Sequence, residues 1–411
     1  MAAKGRDTKP HVGIFGRRNV GKSSLINALV GQDIAIVSDV AGTTTDPVKK
    51  SIEVHGLGPL IFIDTAGIDD TGELGQLRIK KSIAALKLID LAILVLSDNR
   101  FESYEAELVK EFGVLDIPFV LVHNKSDVTP LTPSFRDEIR NSTGKEITEY
   151  SALHPQKYNP GLLRVLKETM PPTALKSRGL IGDLVSQGDI VLLITPIDIE
   201  APEGRLILPQ VQVIRDILDN DCTAIVLKER EVDAFLRRTG IRPALVITDS
   251  QVFLKADASI PRDIPLTSFS IVLARQKGDF AEYLRGTPKI GELKDGDRIL
   301  LLESCTHNVS CDDIGRVKIP RWLTNFTGKK LEFDNVAGLD VFPRPIEDYA
   351  LAIQCGGCMV THRQLMNRLR EPKKHHVPVT NYGMAIAYVH GIFSRATEPF
   401  TGKTEKAGDL I

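Results

Sequence analysis

The chain has 411 residues, 42% apolar and 26% charged, with 52 Lys and Arg against 53 Asp and Glu, a formal net charge of −1 and five cysteines. At about 150 residues per domain that length favours two or three domains with real cores. The composition excludes a disordered chain, and the charge balance excludes a broadly basic, nucleic-acid-coating one. No apolar run approaches the roughly 20 residues that span a bilayer, and the start, Met1 to Thr8, lacks the apolar stretch of a signal peptide. Five cysteines do not make a secreted disulfide framework, so a cytoplasmic protein is expected, with no membrane partner.

Residues 9–171 alternate short apolar runs with amphipathic stretches, the pattern of an α/β sheet flanked by helices. Strands are expected at 11–15, 52–55, 60–63, 91–96 and 119–122. Pro171-Pro172 then breaks the pattern. A second block, 174–265, reads β-α-β-α-β and implies parallel strands. Its helix at 206–218 carries Leu206, Leu208, Val211, Ile214 and Leu218, a face expected to join the domain's own core. After the turn-rich stretch 260–265, a third βα block covers 266–395. There, strands are expected at 269–273, 298–302 and 350–353, and helices at 280–284, 314–323 and 362–369. The fold class expected is α/β in three domains, a P-loop domain followed by two parallel-sheet βα domains.

Gly16-Arg-Arg-Asn-Val-Gly-Lys-Ser23 follows the first strand and opens a helix at Ser24, the context a phosphate loop requires. Glycines let backbone N–H groups of the loop, Val20 among them, approach phosphate oxygens, and the helix N-terminus adds a favourable dipole. Lys22 can reach the β and γ phosphates and the Ser23 hydroxyl can ligate Mg²⁺. Asp64-Thr-Ala-Gly67 follows a later strand; Asp64 suits water-mediated Mg²⁺ binding and the Gly67 amide suits the γ-phosphate. Thr44, within 41–46, can close on Mg²⁺ when the γ-phosphate is present. Asn124-Lys125-Ser126-Asp127 ends another strand. The Asp127 carboxylate can accept both N1–H and the 2-amino group of guanine, a pair adenine lacks, while Asn124 and Lys125 shape the pocket. Ser151-Ala152 stands where an amide can meet guanine O6. The ligands expected are therefore GTP and Mg²⁺.

These residues resemble the Era/TrmE type of GTPase. The resemblance implies that Asn19, inside the phosphate loop, helps bind K⁺. Ile68 follows Asp64-Thr-Ala-Gly67, where Ras-like GTPases carry a water-orienting Gln. It implies slow, K⁺-stimulated hydrolysis in which the ion supplies the charge an arginine finger supplies elsewhere.

In the third block, Cys355-Gly-Gly-Cys358 directly follows one strand and Cys305-Thr-His307 another. Ligands of open parallel sheets collect beyond the strands' carboxyl ends. Three thiols brought together there suit an iron–sulfur cluster. The same spacing also suits a Cys₃His zinc site with His307, a thiol–disulfide pair, or buried inert cysteines. Cys222 and Cys311 read as structural.

A GTPase domain, a βα block and then C-x-H with C-G-G-C resembles the [FeFe]-hydrogenase maturation GTPases over residues ~10–395. The resemblance implies a middle dimerisation domain and a homodimer. It implies a [4Fe-4S] cluster on Cys305, Cys355 and Cys358. It also implies a scaffold that carries a diiron precursor, built by radical-SAM maturases, to apo-[FeFe]-hydrogenase. That family often has His immediately before its C-x-x-C, where this chain has Gln354. His307 is then the remaining motif candidate for a fourth ligand, beside water or a distant carboxylate. An RNA- or ribosome-directed GTPase of the Era type is the rival. It usually appends a basic module, which the C-terminal half lacks, so no nucleic-acid partner is expected.

Overall fold

The computed structural model describes residues 9–30, 36–40, 48–54, 58–65, 85–171, 179–196, 206–304, 313–338 and 340–402. Thr44, Gly67, Ile68, Cys305, His307 and Cys311 lie outside the described residues. The chain divides into two compact units, residues 8–177 and residues 178 onward. Among the described residues no helix is long and apolar enough to cross a membrane.

The first unit is built on strands β1 (His11–Phe15), β2 (Ile36–Val40), β3 (Val48–Val54), β4 (Gly58–Asp64), β5 (Leu91–Leu96), β6 (Phe119–His123) and β7 (Ile147–Glu149), in the order β2-β3-β4-β1-β5-β6-β7. From β4 to β7 the strands are parallel, whereas β3 runs antiparallel to both β2 and β4. Central β5 is buried at every position, because helices cover both faces. Its Leu91, Ile93 and Val95 pack with Leu25, Leu29, Leu162 and Leu166 of helices Lys22–Val30 and Pro155–Thr169. The alternating Ala92, Leu94 and Leu96 pack with Leu108, Phe112 and Ile139 of helices Ser103–Val114 and Pro133–Thr143. Each fully buried aliphatic or aromatic side chain contributes about 1.5–3 kcal/mol. Parallel pairing brings the carboxyl ends of β1, β4, β5 and β6 to one edge, where Asp64 stands opposite Ile14 and His123 opposite Leu96.

The second unit holds two parallel four-stranded sheets. One has β8 (Ile190–Ile194), β9 (Thr223–Leu227), β10 (Leu245–Thr248) and β11 (Leu266–Ser268) in the order β11-β10-β8-β9. The other has β12 (Arg298–Glu303), β13 (Glu332–Ala337), β14 (Leu351–Gln354) and β15 (Val379–Asn381) in the order β13-β12-β14-β15. One continuous apolar cluster joins them, from Leu192, Ile194 and Val246 to Ile299, Leu301, Leu351 and Ile353.

Two expectations are corrected here. The apolar run 269–273 is the start of helix Phe269–Lys277, not a strand. A short apolar stretch, here Phe269 and Ile271 to Leu273 around Ser270, suits a buried helix as well as a buried strand. The Ser268 hydroxyl decides it, accepting the Ile271 N–H (3.3 Å) as an N-cap. Helix Leu208–Asp219 buries Gln210, Val213 and Ile217, while Val211 and Leu218 are 47% and 57% exposed and the preceding Leu206 is 46% exposed. The helix turns its narrower apolar stripe inward, so most of the face expected to be core looks outward.

Candidate functional site

The phosphate loop is shaped by residues that tolerate its turns. Gly16 (φ +141°) lies so close to β5 that a Cβ would stand 2.4 Å from the Val95 carbonyl oxygen, and a Cβ on Gly21 (φ +88°) would stand 2.3 Å from the Asn124 amide. Asn19 is left-handed at φ 64° and exposed. The Asn124 side chain is buried; its Nδ2 donates to the Val20 carbonyl (2.8 Å), so the N-K-x-D segment braces the loop from behind. Lys22 is buried too, and its Nζ donates to the carbonyls of Gly16 (2.9 Å) and Arg17 (2.6 Å). The Ser23 hydroxyl donates to Asp64 Oδ2 (2.6 Å). The structure thus brings together two of the three side chains expected to serve Mg²⁺, Ser23 and Asp64, and hard oxygen ligands of this kind suit that ion. Ser24 is exposed in the first turn of the helix.

At the base end, Asp127 is exposed and the buried Ser151 hydroxyl donates to its Oδ1. That hydrogen bond is the main reason the Asp127 carboxyl titrates below the usual range. Lys125 is left-handed at φ 60°, and its carbonyl accepts from the N–H groups of Val128 and Thr129. Ala152 packs at the edge of the core next to Tyr150. Ser126 N–H donates to the Tyr150 carbonyl (3.1 Å) and Tyr150 N–H to the His123 carbonyl (2.8 Å), which ties β7 and the Ser151-Ala152 corner to the strand before Asn124.

One contact had no sequence signal. Arg17, a variable position of the loop pattern, donates bidentately to the buried Glu105 (2.7 and 3.0 Å) and also to Glu102 (3.1 Å). Glu105 in turn accepts the Glu102 N–H as the capping partner of helix Ser103–Val114. The two carboxylates push the guanidinium's proton affinity up. An isolated Arg gives no hint of a partner 88 positions away.

The second site begins where β12 and β14 end side by side, with Leu302 opposite Gln354. Cys355 and Cys358 are free, half-buried thiols. Cys355 Sγ accepts from Ser304 N–H (3.1 Å) and donates to Ser304 Oγ (3.0 Å). Gln354 is fully buried; its Nε2 donates to Ser304 Oγ (3.0 Å) and reaches Cys355 Sγ (3.5 Å), while its Oε1 has no partner among the described residues. The hydroxyls of Tyr283 and Tyr382 are likewise buried without a partner, and burial, with Cys355 nearby, holds both phenols protonated well above their ordinary range. Burial, then the neighbouring Cys355, pushes the Cys358 thiol up to about 11. Thiolate donors ringed by buried N–H and O–H groups suit an iron–sulfur cluster, whose sulfurs take such hydrogen bonds. Cys222 is buried beside β9, apart from this pair.

Comparison with known proteins bears on both sites. The family model for the 50S ribosome-binding GTPase matches residues 11–125, that for the hydrogen maturase F dimerization domain residues 180–278, and that for the hydrogen maturase F tetramerization domain residues 281–399. The tRNA modification GTPase MnmE of Hydrogenovibrio crunogenus is 38% identical over 142 residues, 34% of this chain and 30% of that protein. MnmE of Dinoroseobacter shibae is 32% identical over 224 residues, 51% of this chain and 49% of that protein. The chain therefore spans half or less of the length of these curated relatives. Among solved structures, an Era variant from Aquifex aeolicus bound to GDP.AlF4- is 20% identical with a TM-score of 0.33, covering 57% of this chain and 99% of that one. The G domain of the T. maritima FeoB iron transporter is 20% identical with a TM-score of 0.31, covering 39% and 98%. The N-terminal unit is a P-loop GTPase domain, two maturase-specific domains follow it in order, and the chain belongs to the hydrogen maturase F family.

Proposed function

We propose that the chain is a GTP-hydrolysing scaffold that holds a [4Fe-4S] cluster and delivers a diiron precursor, received from radical-SAM maturases, to apo-[FeFe]-hydrogenase. The observation that carries this reading is the pair of unbridged thiols, Cys355 and Cys358, at a strand's carboxyl end within the match to the tetramerization domain. Cys305 completes the three-thiolate set. His307, water or a carboxylate fills the fourth position, since the Gln354 amide is a poor iron ligand. Such a cluster, when bound, offers an exchangeable iron site to cargo. The domains divide as 9–171 for GTP, 174–265 for dimerisation and 266–395 for the cluster. The outward apolar residues Leu206, Val211 and Leu218 suit a homodimer's contact face. The free thiols suit a reducing compartment, and we assign the protein to the cytoplasm.

In the nucleotide site, Gly16, Val20, Gly21 and Ser24 cradle phosphate through the loop backbone. Lys22 leaves the Gly16 and Arg17 carbonyls for the β and γ phosphates, and Ser23 and Thr44 take Mg²⁺ with Asp64 behind them. Gly67 meets the γ-phosphate, Asn19 holds K⁺, Asp127 selects guanine with Asn124 and Lys125, and Ser151-Ala152 meets O6. Turnover is slow and rises when Na⁺ is replaced by K⁺; equal rates in the two salts sink the Asn19 assignment.

Anaerobic purification tests the whole. A brown protein with stoichiometric iron and sulfide supports the proposal. Bound zinc in place of iron points to a Cys₃His site, and co-sedimentation with ribosomes without iron to a GTPase of the Era kind.

A further inference from the structure

Helix Phe269–Lys277 ends on a charged residue that the nucleotide chemistry does not use. Phe269, Ile271, Val272, Leu273 and Ala274 are all buried, and so is Lys277, 8% exposed. Its Nζ donates to the carbonyl oxygens of Gly357 (3.1 Å), Cys358 (3.2 Å) and Val360 (3.1 Å). An ammonium has three N–H donors, and all three are spent on the C-G-G-C loop. Among the described residues no carboxylate lies within ion-pair range of Nζ. A buried cation without a counter-charge costs several kcal/mol, which carbonyl dipoles offset only in part.

The rest of the helix is fitted to the same loop. Ser270, Leu273 and Lys277 recur at i, i+3 and i+7, one stripe of the helix. A Cβ on Gly356 would stand 3.7 Å from both Leu273 Cδ1 and Ser270 Oγ. The Ser270 hydroxyl donates to Asn381 Oδ1 (3.1 Å), and Asn381 Nδ2 donates to the Gln354 carbonyl (3.2 Å). His362 Nδ1 lies 2.7 Å from the Lys277 carbonyl and, facing an acceptor, is the donor. The stripe therefore supports the loop from Gln354 to Val360, and its one charged residue sits at the Cys358 end.

We propose that Lys277 is a positioning residue for the metallocluster: its ammonium is a fixed counter-charge beneath the C-G-G-C loop and locks the loop's carbonyls so that Cys358 is presented before iron arrives. This rests on the cluster reading above. A cation held against a cluster favours its more negative, reduced state. It follows that the helix closing the match to the dimerization domain tunes a site in the match to the tetramerization domain.

The test uses the full chain, reconstituted anaerobically with iron and sulfide, as wild type, Lys277→Met and Lys277→Arg. Lys277→Met is expected to lower the cluster's midpoint potential. It is also expected to release iron to a chelator about tenfold faster and, as apoprotein, to speed alkylation of Cys358. Lys277→Arg keeps the charge but not the compact three-way geometry. Its potential is expected to stay near wild type while its iron loss quickens. GTP turnover, unchanged in both variants, reports that the chain is folded. If wild type takes up iron and Lys277→Met keeps both the wild-type potential and its iron, Lys277 is an ordinary loop brace and the proposal falls alone. If wild type takes up no iron, the cluster reading fails and takes the proposal with it.

Discussion

Two glycine loops in this chain solve the same physical problem by different means. Each leaves the carboxyl end of a buried parallel strand, β1 or β14, and each turns backbone carbonyls toward a buried ammonium. In the phosphate loop that ammonium is Lys22, six residues on from the Gly16 carbonyl it caps. In the C-G-G-C loop it is Lys277, 80 residues before the Gly357 carbonyl it caps. A lysine inside its own loop can leave the carbonyls when phosphate arrives, because the loop's geometry is held separately by Asn124 and by the Arg17–Glu105 pair. A lysine on a packed helix has nowhere to go. The first loop is built to exchange its electrostatic partner and the second to keep it.

The sharpest way to break that contrast is Lys22→Ala. Losing the cation proposed to meet the β and γ phosphates is expected to lower kcat/KM for GTP by about 10³-fold, the scale of a lost phosphate-stabilising charge. Iron content should be unaffected, and hydrogenase activation should be lost. The measurement pairs GTP turnover with iron analysis on one preparation. Iron falling in parallel with turnover would mean that the variant is misfolded, and that the two loops are not separable.

Next in size is Asp127→Asn. The variant keeps an acceptor for one guanine donor and offers an N–H where the other should be received. GTP affinity is expected to drop by about 10²-fold, because a polar site mismatched to its ligand leaves donors unpaired. Binding of the xanthine nucleotide, which presents a carbonyl at position 2, is expected to rise. Equal loss of both nucleotides would show that Asp127 acts through the fold by way of Ser151 rather than through the base.

Cys355→Ser and Cys358→Ser probe the other loop. Each is expected to cut bound iron at least tenfold without changing GTP turnover. Cys222→Ser is expected to leave iron unchanged and to cost about 1 kcal/mol of stability, since its sulfur packs in the core beside β9. Iron retained in both loop variants would remove the cluster from this loop altogether.

The same contrast explains what could be read from the amino-acid sequence. Gly16, Gly21, Lys22 and Ser23 lie within eight residues, and the spacing that local backbone and phosphate chemistry demands picks them out as candidates. The common edge of Asp64, Asn124 and Asp127 was legible because each follows an apolar strand, and parallel pairing sends such ends together. Lys277 was not legible. It lies beyond the apolar run 269–273, which reads as a strand in the sequence and which the Ser268 cap opens as a helix. The outward face of helix Leu208–Asp219 was hidden for a related reason. Apolar periodicity reports that a face avoids water, not whether its own domain or another surface covers it. A signal for Lys277 does exist after the fact, in a lysine that ends a helix whose first six residues are apolar except for Ser270, followed by Gly278.

The smallest effect expected concerns His123, which is fully buried at the end of β6. The Asn99 N–H points at its Nε2 (3.4 Å), which must therefore be an acceptor. The Ser126 hydroxyl donates to the His123 carbonyl (3.0 Å), so Nδ1 carries the ring proton and gives it to Ser126 Oγ (3.1 Å). Both ring nitrogens are matched only in the neutral form. Burial lowers the imidazole's proton affinity, with Glu149 and Asp98 opposing it. Because the folded state binds this proton less readily than the unfolded chain, the contribution is complete above the unfolded value of about 6.5 and is lost as pH falls through the lower folded value. Urea midpoints of the GTPase unit's transition, measured in the full chain from pH 7.5 down to 5.5, should therefore decline, and the decline should be shallower in His123→Leu. That variant is less stable throughout, since it orphans Asn99 N–H, and the slope, not the midpoint at one pH, carries the inference. Protonation would also set Nε2–H against Asn99 N–H, loosening the turn at Asp98 and Asn99 (φ 58° and 50°) whose side chains hold Thr129 and Thr132, just after the segment from Asn124 to Asp127 proposed to bind guanine. Nucleotide affinity should then weaken over the same pH interval as stability, and an affinity that stays flat while stability falls would confine His123 to the core.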